Sequence, residues 1–427
     1  MPSLLALLYE GAARAARAGA AVAPAGGGKT LRSLAARRGL TERWAAWAAA
    51  SRDPSRPLLW MHAPSVGEGL QARPVIERVR AAPPGAQIAY TFFSPSAEAF
   101  ARGLPVDHAD YIPFDTTADA RAMLDALRPR ALVFSKLDVW PTLAREAAAR
   151  SVRLGLVSAT LREGSGRRSG AARALLGEAY ARLALVGAID EEDAERLIAL
   201  GVRPAAMRIT GDTRYDQVWA RAQGVDRRSA LLAPLAGSRA TLVAGSTWPA
   251  DEAPLLAAWR AVRARVPAAR LIVAPHEPTP SHLEPIERWA RDAGIPLARL
   301  GSPEAAAADV VLVDRVGVLG DLYALATAAY VGGGFHAAGL HSVLEPAAFG
   351  APVLFGPRHE MSRDATLLSQ RGGGISVANE TDLTRRLRAW IGDDALRRDA
   401  GNYARALVRS GIGAAERSFE LVDRLIR

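Results

Sequence analysis

Residues 58–80 read LLWMHAPSVGEGLQARPVIERVR. This stretch begins with an apolar run, which is followed within a few residues by an amphipathic segment. The apolar run at 58–63 predicts a buried strand, and the stretch at 69–80 predicts a helix with one apolar face. A strand that leads at once into a helix is typical of a βαβ unit, in which successive strands lie parallel in one sheet.

The same alternation continues along the chain in two series, which a polar, Ala-, Pro- and Gly-rich stretch at 219–240 separates. Two such series predict an α/β protein with two Rossmann-like, doubly wound domains that face a central cleft. The strands are expected at 58–63, 87–93, 111–114, 131–135, 153–158 and 184–189 in the first series, and at 241–245, 271–274, 296–300, 310–313, 329–331, 352–355 and 375–377 in the second.

The two domains are expected at 51–222 and 223–410, followed by a C-terminal helix at 411–427 that packs back on the first domain. Residues 1–50 form a separate N-terminal segment that contains a short leucine-rich run at 4–8. This run is shorter than the ~20 apolar residues that span a bilayer. It predicts either an amphipathic helix that lies on an anionic membrane or a helix packed against its own domain.

The chain of 427 residues carries a formal net charge of +10 and has no cysteine. The absence of cysteine excludes disulfides, thiolate metal sites and cysteine nucleophiles. A basic surface attracts phosphorylated substrates, anionic membranes or nucleic acid. Because no zinc-finger or RNA-recognition signature accompanies the charge, we expect no nucleic-acid partner.

The first strand-to-helix turn carries Ser65, Gly67 and Glu68. A carboxylate at the carboxyl end of a strand can act as a general base that takes the proton of an attacking hydroxyl. Ser65 and Glu68 also have the spacing of a capping box, so helix capping is the structural alternative for this pair.

Two later turns of the first series also carry polar side chains. Ser94 and Ser96 follow the second strand, where their hydroxyls can cap a helix or meet a polar ligand. Lys136 and Asp138 follow the fourth strand. Lys136 can bind an anion such as a sugar carboxylate or a phosphate, or it can pair with a neighbouring carboxylate.

The turns of the second series combine small residues with polar ones. Ser246 and Thr247 precede a helix, whose free N–H groups favour a phosphate. His276 ends the next strand, where it has either a donor-binding or a structural role. Gly333 and Gly334 follow a later strand, and glycine there permits the close approach of a nucleotide.

Glu345 lies just inside a helix, where it can accept hydrogen bonds from both hydroxyls of a ribose or can serve as a partner of the helix dipole. His341 and Glu345 have helical spacing, but two ligands do not make a zinc site, so we expect no metal. The GKT triplet at 28–30 resembles a phosphate-binding loop, yet Ala23 stands where its first glycine belongs.

Taken together, these motifs resemble those of the 3-deoxy-D-manno-octulosonic acid (Kdo) transferases, in the order that is typical of that family. The resemblance covers residues 57–375 and includes the FGP element at 355–357. The matching motifs are HAPSVGE (62–68), TFFSPS (91–96), KLDVW (136–140), GDTRYD (211–216), AGSTWP (244–249) and LEPAAFG (344–350).

The resemblance implies a GT-B fold and the metal-independent, inverting transfer of Kdo from CMP-Kdo to a phosphorylated lipid A precursor. It implies no cofactor, and it places the enzyme on the cytoplasmic face of the bacterial inner membrane, either bound peripherally or anchored by residues 1–50. The domain at 51–222 would bind the acceptor and the domain at 223–410 the nucleotide sugar.

The resemblance also assigns roles to residues, with Glu68 as the general base. The expected catalytic residues are Glu68, Lys136 and Asp138, and the expected acceptor-binding residues are Ser65, Gly67, Ser94 and Ser96. The expected donor-binding residues are Arg214, Ser246, Thr247, His276, Gly333, Gly334, His341, Ser342 and Glu345.

The sequence departs from the family pattern at several positions. Lys136 and Asp138 stand where many members have two glutamates, which resembles a Lys-bearing branch of the family. Ser342 replaces a usual Asn, and the pair His276-Glu277 replaces a usual Arg-His. Two other functions share the architecture and stay open at this point: a nucleotide-sugar epimerase and a non-catalytic nucleotide-sugar-binding scaffold.

Overall fold

The computed structural model describes residues 4–22, 28–83 and 85–427. The phosphate-loop-like stretch lies partly outside these ranges, because residues 23–27 are not described. The chain forms two compact units, the first made of Met1–Gln217 with Gly413–Arg427 and the second of Val218–Ile412.

The first unit is built on a seven-stranded, entirely parallel sheet with the strand order β3-β2-β1-β4-β5-β6-β7. Its central strands are buried on both faces, which explains their continuous apolar sequences. The strands are β1 (Leu58–His62), β2 (Gln87–Phe92), β3 (His108–Tyr111), β4 (Ala131–Ser135), β5 (Arg153–Ala159), β6 (Leu185–Ala188) and β7 (Met207–Ile209).

The second unit contains another seven-stranded parallel sheet, with the order β10-β11-β9-β8-β12-β13-β14. The predicted class of two doubly wound domains is therefore confirmed. The strands are β8 (Thr241–Thr247), β9 (Arg270–Pro275), β10 (Leu297–Arg299), β11 (Val310–Leu312), β12 (Ala328–Val331), β13 (Val353–Phe355) and β14 (Gly374–Ser376).

Helices connect the strands and cover both sheets. The first unit contains α1 (Leu4–Val22), α2 (Lys29–Ala35), α3 (Leu40–Ser51), α4 (Val66–Ala81), α5 (Ala97–Ala101), α6 (Thr117–Leu127), α7 (Pro141–Ala149), α8 (Gly170–Ala181) and α9 (Glu191–Leu200). The next helix, α10 (Thr213–Gly224), begins in the first unit and ends in the second. The rest of the chain contains α11 (Pro249–Arg263), α12 (Pro280–Asp292), α13 (Leu319–Leu322), α14 (Leu344–Ala348), α15 (Arg363–Gln370), α16 (Glu380–Gly392), α17 (Asp394–Ser410) and α18 (Ala414–Ile426).

Two strands of the first sheet differ from the prediction. The third strand covers β3 rather than 111–114, because Pro113 has no N–H to donate to a ladder. The edge strand β7 was missed, since it has only three residues and two of them, Arg208 and Ile209, are exposed. Neither the length nor the apolar content of β7 distinguishes it from a loop.

The last helix, α18, belongs to the first unit. Leu421, Val422 and Leu425 are buried in the core of that unit, where α18 packs on α4 and β5. The carboxylate of Asp216 accepts hydrogen bonds from the N–H groups of Gly413 and Ala415 and thereby caps the start of α18. The chain thus returns to its first sheet after it has completed the second.

The N-terminal helix α1 is attached to the first unit through one polar face. Glu10 accepts hydrogen bonds from the N–H and hydroxyl groups of Thr117, and Arg17 pairs with Asp119 at 3.0 Å. The leucines at 4, 5, 7 and 8 are exposed, with 73% for Leu4 and 62% for Leu8. No helix in the described part of the chain is both long and apolar enough to cross a bilayer.

Near the centre of each sheet, two neighbouring strands are followed by connections that run in opposite directions. In the first sheet this switch point lies between β1 and β4, and in the second it lies between β8 and β12. Ligands of open parallel sheets bind beyond the carboxyl ends of the strands at such a point. These two strand pairs position the candidate site residues.

Candidate active site

The first group of candidate residues lies beyond the carboxyl ends of β1 and β4. Glu68 is in the first turn of α4, and its carboxylate accepts a hydrogen bond from the Ser65 hydroxyl. The ammonium of Lys136, which follows β4, lies 3.1 Å from Oε1 of Glu68. Lys136 has a φ of 65°, a left-handed conformation that is unusual for a side chain of its size. The structure therefore brings Lys136 next to Glu68, which lies 68 positions earlier in the sequence.

The surroundings of Glu68 favour its charged form. Burial by itself would raise the pKa of this carboxyl group. The hydrogen bond from Ser65 and the positive charge of Lys136 outweigh burial, so the pKa of Glu68 lies below its ordinary value. Ser65 makes no side-chain cap to the backbone of α4, so its hydroxyl serves the carboxylate rather than the helix.

A second carboxylate, Asp138, is held by a buried network next to this group. Its Oδ2 lies 2.9 Å from Nε2 of His62 and accepts a hydrogen bond of 2.9 Å from the Trp140 indole. Burial opposes ionisation, but the His62 contact and the Trp140 hydrogen bond hold the pKa of Asp138 below its ordinary value. The guanidinium of Arg167 lies 3.9 Å from Oδ1 and adds further positive charge.

His62, which the sequence analysis did not select, connects this network to β2. Its Nδ1 lies 3.0 Å from both the carbonyl and the hydroxyl oxygen of Thr91, and the side chain is fully buried. The Thr91 hydroxyl in turn accepts a hydrogen bond from the Trp60 indole. The ring is thus held by contacts on both nitrogens, which fixes the side chain that supports Asp138.

The predicted acceptor-binding residues line the same edge. The N–H groups of Phe93 and Ser94 donate to the Pro64 carbonyl, and this ties the loop after β2 to the loop after β1. The hydroxyls of Ser94 and Ser96 lie 2.9 Å apart on the surface. A Cβ at Gly67 would meet only the Ser65 hydroxyl, at 3.8 Å, so packing does not require glycine at this position.

The second group of residues lies beyond β8 and β12. The end of β8 contains an irregularity at Ser246, whose φ is 53°. A Cβ on Gly332 would clash with the Ser246 carbonyl, and one on Gly334 would clash with the backbone of Gly356. Gly333 has a φ of 94°, a conformation that favours glycine. The three glycines are therefore required by the close approach of three backbone segments.

A buried carboxylate that the sequence analysis missed, Asp251, organises this second group. Its Oδ2 accepts hydrogen bonds from the N–H groups of Trp248 and Gly333, and its Oδ1 accepts from the N–H of Phe335 and the hydroxyl of Tyr330. The side chain is completely inaccessible to solvent. Asp251 thus joins the start of α11 to the glycine loop after β12.

Imidazole and indole rings surround the mouth of this loop. The Trp248 ring stacks on His336 at 4.4 Å, and His276 stacks on His341 at the same distance. The Trp248 indole donates a hydrogen bond of 3.1 Å to Nε2 of His341. Burial and the neighbouring His276 lower the pKa of His341 to about 4, so this ring stays neutral and accepts the indole proton.

The remaining donor-binding candidates differ in their surroundings. Burial raises the pKa of Glu345, and the charge of Arg221 opposes this effect only in part. Thr247 donates a hydrogen bond of 2.9 Å to Glu252, whereas Ser342 is exposed. Arg214 lies in the first unit, where Asp212 binds its guanidinium at 2.6 Å, whereas the other predicted donor-binding residues lie in the second unit.

Comparison with known proteins points to one family. The sequence model described as "3-Deoxy-D-manno-octulosonic-acid transferase (kdotransferase)" matches residues 33–217, which lie within the first unit. The chain is 25% identical over 401 residues to the 3-deoxy-D-manno-octulosonic acid transferase of Haemophilus influenzae, and the match covers 92% of each chain. It is 29% identical over 380 residues to the enzyme of that name from Bordetella pertussis, covering 86% of each.

This chain is similar to Kdo transferases over most of its length, at 25–29% identity, and the family model matches its residues 33–217. It is therefore a glycosyltransferase of lipopolysaccharide synthesis, as the motifs predicted. The alignment with the H. influenzae relative extends over both units, so the relationship is not limited to the part that the family model matches.

Solved structures with a similar fold include two UDP-GlcNAc 2-epimerases. The enzyme from Neisseria meningitidis bound to UDP-GlcNAc has a TM-score of 0.64 at 12% identity, covering 86% of this chain and 100% of that one. A putative enzyme from Listeria monocytogenes has a TM-score of 0.62 at 15% identity, covering 86% and 96%. At this identity the similarity shows the GT-B fold alone. In the described part of the chain, no three His, Asp or Glu side chains are arranged as a metal site.

Proposed function

We propose that this protein moves Kdo from CMP-Kdo to a hydroxyl of a phosphorylated lipid A precursor, with inversion at the anomeric carbon and without a metal. The observation that carries this proposal is the environment of Glu68. Its carboxylate lies at the switch point of the first sheet, where Ser65 and Lys136 keep it ionised. A general base for hydroxyl attack must be charged at the operating pH.

In the proposed reaction the acceptor oxygen attacks the anomeric carbon of Kdo while Glu68 takes the hydroxyl proton. The new glycosidic bond forms as the bond between the sugar and the CMP phosphate breaks, and CMP leaves with the bonding electron pair. Lys136 keeps Glu68 charged and offers a cation to an anionic group of a substrate. Asp138, fixed by His62 and Trp140, is proposed to hold a hydroxyl of the sugar or the acceptor.

The second unit is proposed to hold CMP-Kdo. Backbone N–H groups near Ser246, Thr247 and the glycine loop would receive the phosphate, because the glycines let a ligand approach the backbone closely. Glu345 would accept hydrogen bonds from the ribose hydroxyls. His276, His341 and Ser342 complete the proposed donor-binding set of this unit, and the family resemblance adds Arg214.

We further propose that the enzyme works at an anionic membrane surface, the cytoplasmic face of the inner membrane, and that α1 contacts lipid. The exposed leucines of α1 lie on a helix that packs against α8. The α8 region is basic, with arginines at 162, 167, 168 and 173. An apolar helix face next to arginines suits a bilayer with acidic headgroups.

The direct test of the reaction is mass spectrometry of a lipid A precursor incubated with the protein and CMP-Kdo. We expect the precursor to gain the mass of at least one Kdo residue, and we expect no gain when UDP-GlcNAc replaces CMP-Kdo. Epimerisation of UDP-GlcNAc without Kdo transfer would instead assign the epimerase activity, and binding of CMP-Kdo without transfer would assign a scaffold.

The membrane proposal is tested by co-sedimentation with vesicles. We expect binding to vesicles that contain an acidic lipid, and weaker binding when Leu4, Leu5, Leu7 and Leu8 are all changed to Ser. Equal sedimentation of this variant and the wild type would remove α1 from the proposal. Replacing the exposed Leu396 by Ser serves as a control for a lost surface leucine outside α1.

A further inference from the structure

A basic groove in the second unit lies on α10 and α17, outside the strand ends described above. The guanidinium carbons of Arg405 and Arg409 lie 5.3 and 5.9 Å from the centroid of the Trp219 ring. The cavity beside them has a volume of about 450 Å³ and is lined by Trp219, Asn402, Arg405, Ala406 and Arg409. We refer to these five residues as the Trp219 groove.

The charge of the Trp219 groove is not compensated. Within the described part of the chain, no carboxylate lies within 4.0 Å of the guanidinium of Arg405 or Arg409. Elsewhere on the same helix Arg397 pairs with Asp394 at 2.7 Å. Arg405 and Arg409 are one helical turn apart, and like charges at this spacing repel each other. An anion between them would remove this repulsion.

The geometry of the groove prepares the two arginines for a ligand. Because both guanidinium groups lie over one indole ring, part of the entropy of these long side chains is lost before binding. A planar guanidinium presents paired N–H donors that match the oxygens of a phosphate group. The amide of Asn402, one turn before Ala406, adds a further donor at the wall of the cavity.

We infer that the Trp219 groove binds a phosphate-bearing anion, a phosphate monoester or a diphosphate. This site is separate from the proposed donor site, since none of its residues lies at a strand end or in the glycine loop. A bound anion would connect α10 to α17. The chain enters the second unit within α10, and α17 is the last helix of that unit. The inference does not depend on the proposed reaction, because its test measures binding alone.

The test is ¹⁹F NMR of the full-length protein labelled with 5-fluorotryptophan. The chain has nine tryptophans, so the resonance of Trp219 is identified as the one that Trp219→Phe removes. We expect this resonance to shift in a saturable manner as pyrophosphate is added at constant ionic strength. In the double variant Arg405→Gln/Arg409→Gln the apparent affinity should fall about tenfold or more, because two charge-assisted contacts are lost.

A matched control removes the same charge from another helix of the second unit. Arg288 and Arg291 on α12 are exposed, and Arg288→Gln/Arg291→Gln should leave the pyrophosphate affinity at Trp219 unchanged. A second titration uses vesicles that contain phosphatidic acid. A response to pyrophosphate alone assigns a free phosphate as the ligand, and a response to the vesicles assigns a lipid headgroup. The absence of any shift with either probe, or equal affinities in the two double variants, would overturn the inference.

Discussion

Beyond β1 and β4 in the first unit, each candidate carboxylate makes a direct contact with an ammonium group or an imidazole. Within the described residues, the carboxylates beyond β8 and β12 in the second unit make no ion pair, and the charge of Arg221 offsets the burial of Glu345 only in part. Glu68 pairs with Lys136, and Asp138 contacts His62. Asp251 receives only backbone N–H groups and one tyrosine hydroxyl, and burial raises the pKa of Glu345. Both groups of residues occupy the switch point of a parallel sheet.

The difference shows how one sheet architecture supports two kinds of chemistry. The first turn carries a partly exposed carboxylate whose charged form is stabilised, which suits proton transfer. The second turn carries glycines and Ser246, whose backbone is in a left-handed conformation, and its backbone segments approach each other closely. This arrangement lets a ligand approach the backbone. The contrast lies in the side chains of the strand-to-helix turns, because the strands of the two sheets are arranged alike at their centres.

The largest effect is expected from a change that removes proton transfer from the first group. Glu68→Gln keeps the size of the side chain but cannot accept the acceptor proton, so the rate of Kdo transfer should fall about 10³-fold. The measurement is kcat with CMP-Kdo and a lipid A precursor. The affinity for CMP-Kdo, measured by calorimetry, should change little, because Glu68 is not one of the proposed donor-binding residues.

A control for Glu68→Gln lies on the same helix. Glu77 is an exposed partner of Arg73, and Glu77→Gln should retain the wild-type rate. A Glu68→Gln enzyme with more than a tenth of the wild-type kcat would show that another group takes the proton. The first switch point would then no longer differ from the second by carrying the general base.

The second group is tested most severely at Asp251. Asp251→Asn replaces one acceptor oxygen by an NH₂ group that faces backbone N–H donors, and the loss of these hydrogen bonds should cost on the order of 3 kcal/mol. We expect the amides of Gly333 and Phe335 to exchange faster with deuterium and the KM for CMP-Kdo to rise. Asp292→Asn, at an exposed position in the same unit, should change neither quantity.

Unchanged exchange of the Gly333 and Phe335 amides in Asp251→Asn would show that the glycine loop is held by its own backbone contacts. The second group would then resemble an ordinary set of tight turns. In that case its difference from the first group would rest on Glu345 and the stacked rings alone.

Much of this comparison was accessible from the sequence. The alternation of apolar and amphipathic stretches predicted both sheets, and strand ends predicted the turns that carry Glu68, Lys136 and Glu345. The sequence does not contain the strand order, however. The contact between Glu68 and Lys136 arises because β1 and β4 are neighbours, and a pair that is 68 residues apart cannot be recognised from local patterns.

The residues that were missed share a physical reason. Asp251 stands in the first turn of α11, where an acidic residue is a common dipole partner, and nothing local indicates its bonds to residues about 80 positions later. His62 lies in an apolar run and looks like one more strand residue, although Asp138 is its partner. Buried polar side chains with distant partners become visible only when the strands are assembled.

A smaller effect is expected at Glu345. A neutral amide accepts hydrogen bonds more weakly than a carboxylate, so Glu345→Gln should raise the KM for CMP-Kdo about tenfold and leave kcat nearly unchanged. In the wild type the KM should also fall as the pH rises through the raised pKa of Glu345, because the carboxylate then forms. The variant should lack this pH dependence, whereas the exposed Glu304→Gln should keep it. An unchanged KM would remove Glu345 from the donor site.

The smallest effect is expected from removing the charge of Lys136, and it tests whether this cation lowers the pKa of Glu68. Lys136→Gln keeps a hydrogen-bond donor beside Glu68 but removes the ammonium that stabilises the carboxylate. The pKa of Glu68 should therefore rise, and the base should become protonated at a higher pH. The acid limb of the pH profile of kcat/KM should move to higher pH. The shift should be modest, because Lys136 is 41% exposed and solvent screens the pair.

The control for this shift is Arg73→Gln, on the exposed face of α4, which should leave the acid limb in place. An acid limb that stays in place or moves to lower pH in Lys136→Gln would mean that Lys136 does not lower the pKa of Glu68. The two switch points would then differ only in how their backbone segments accommodate a ligand.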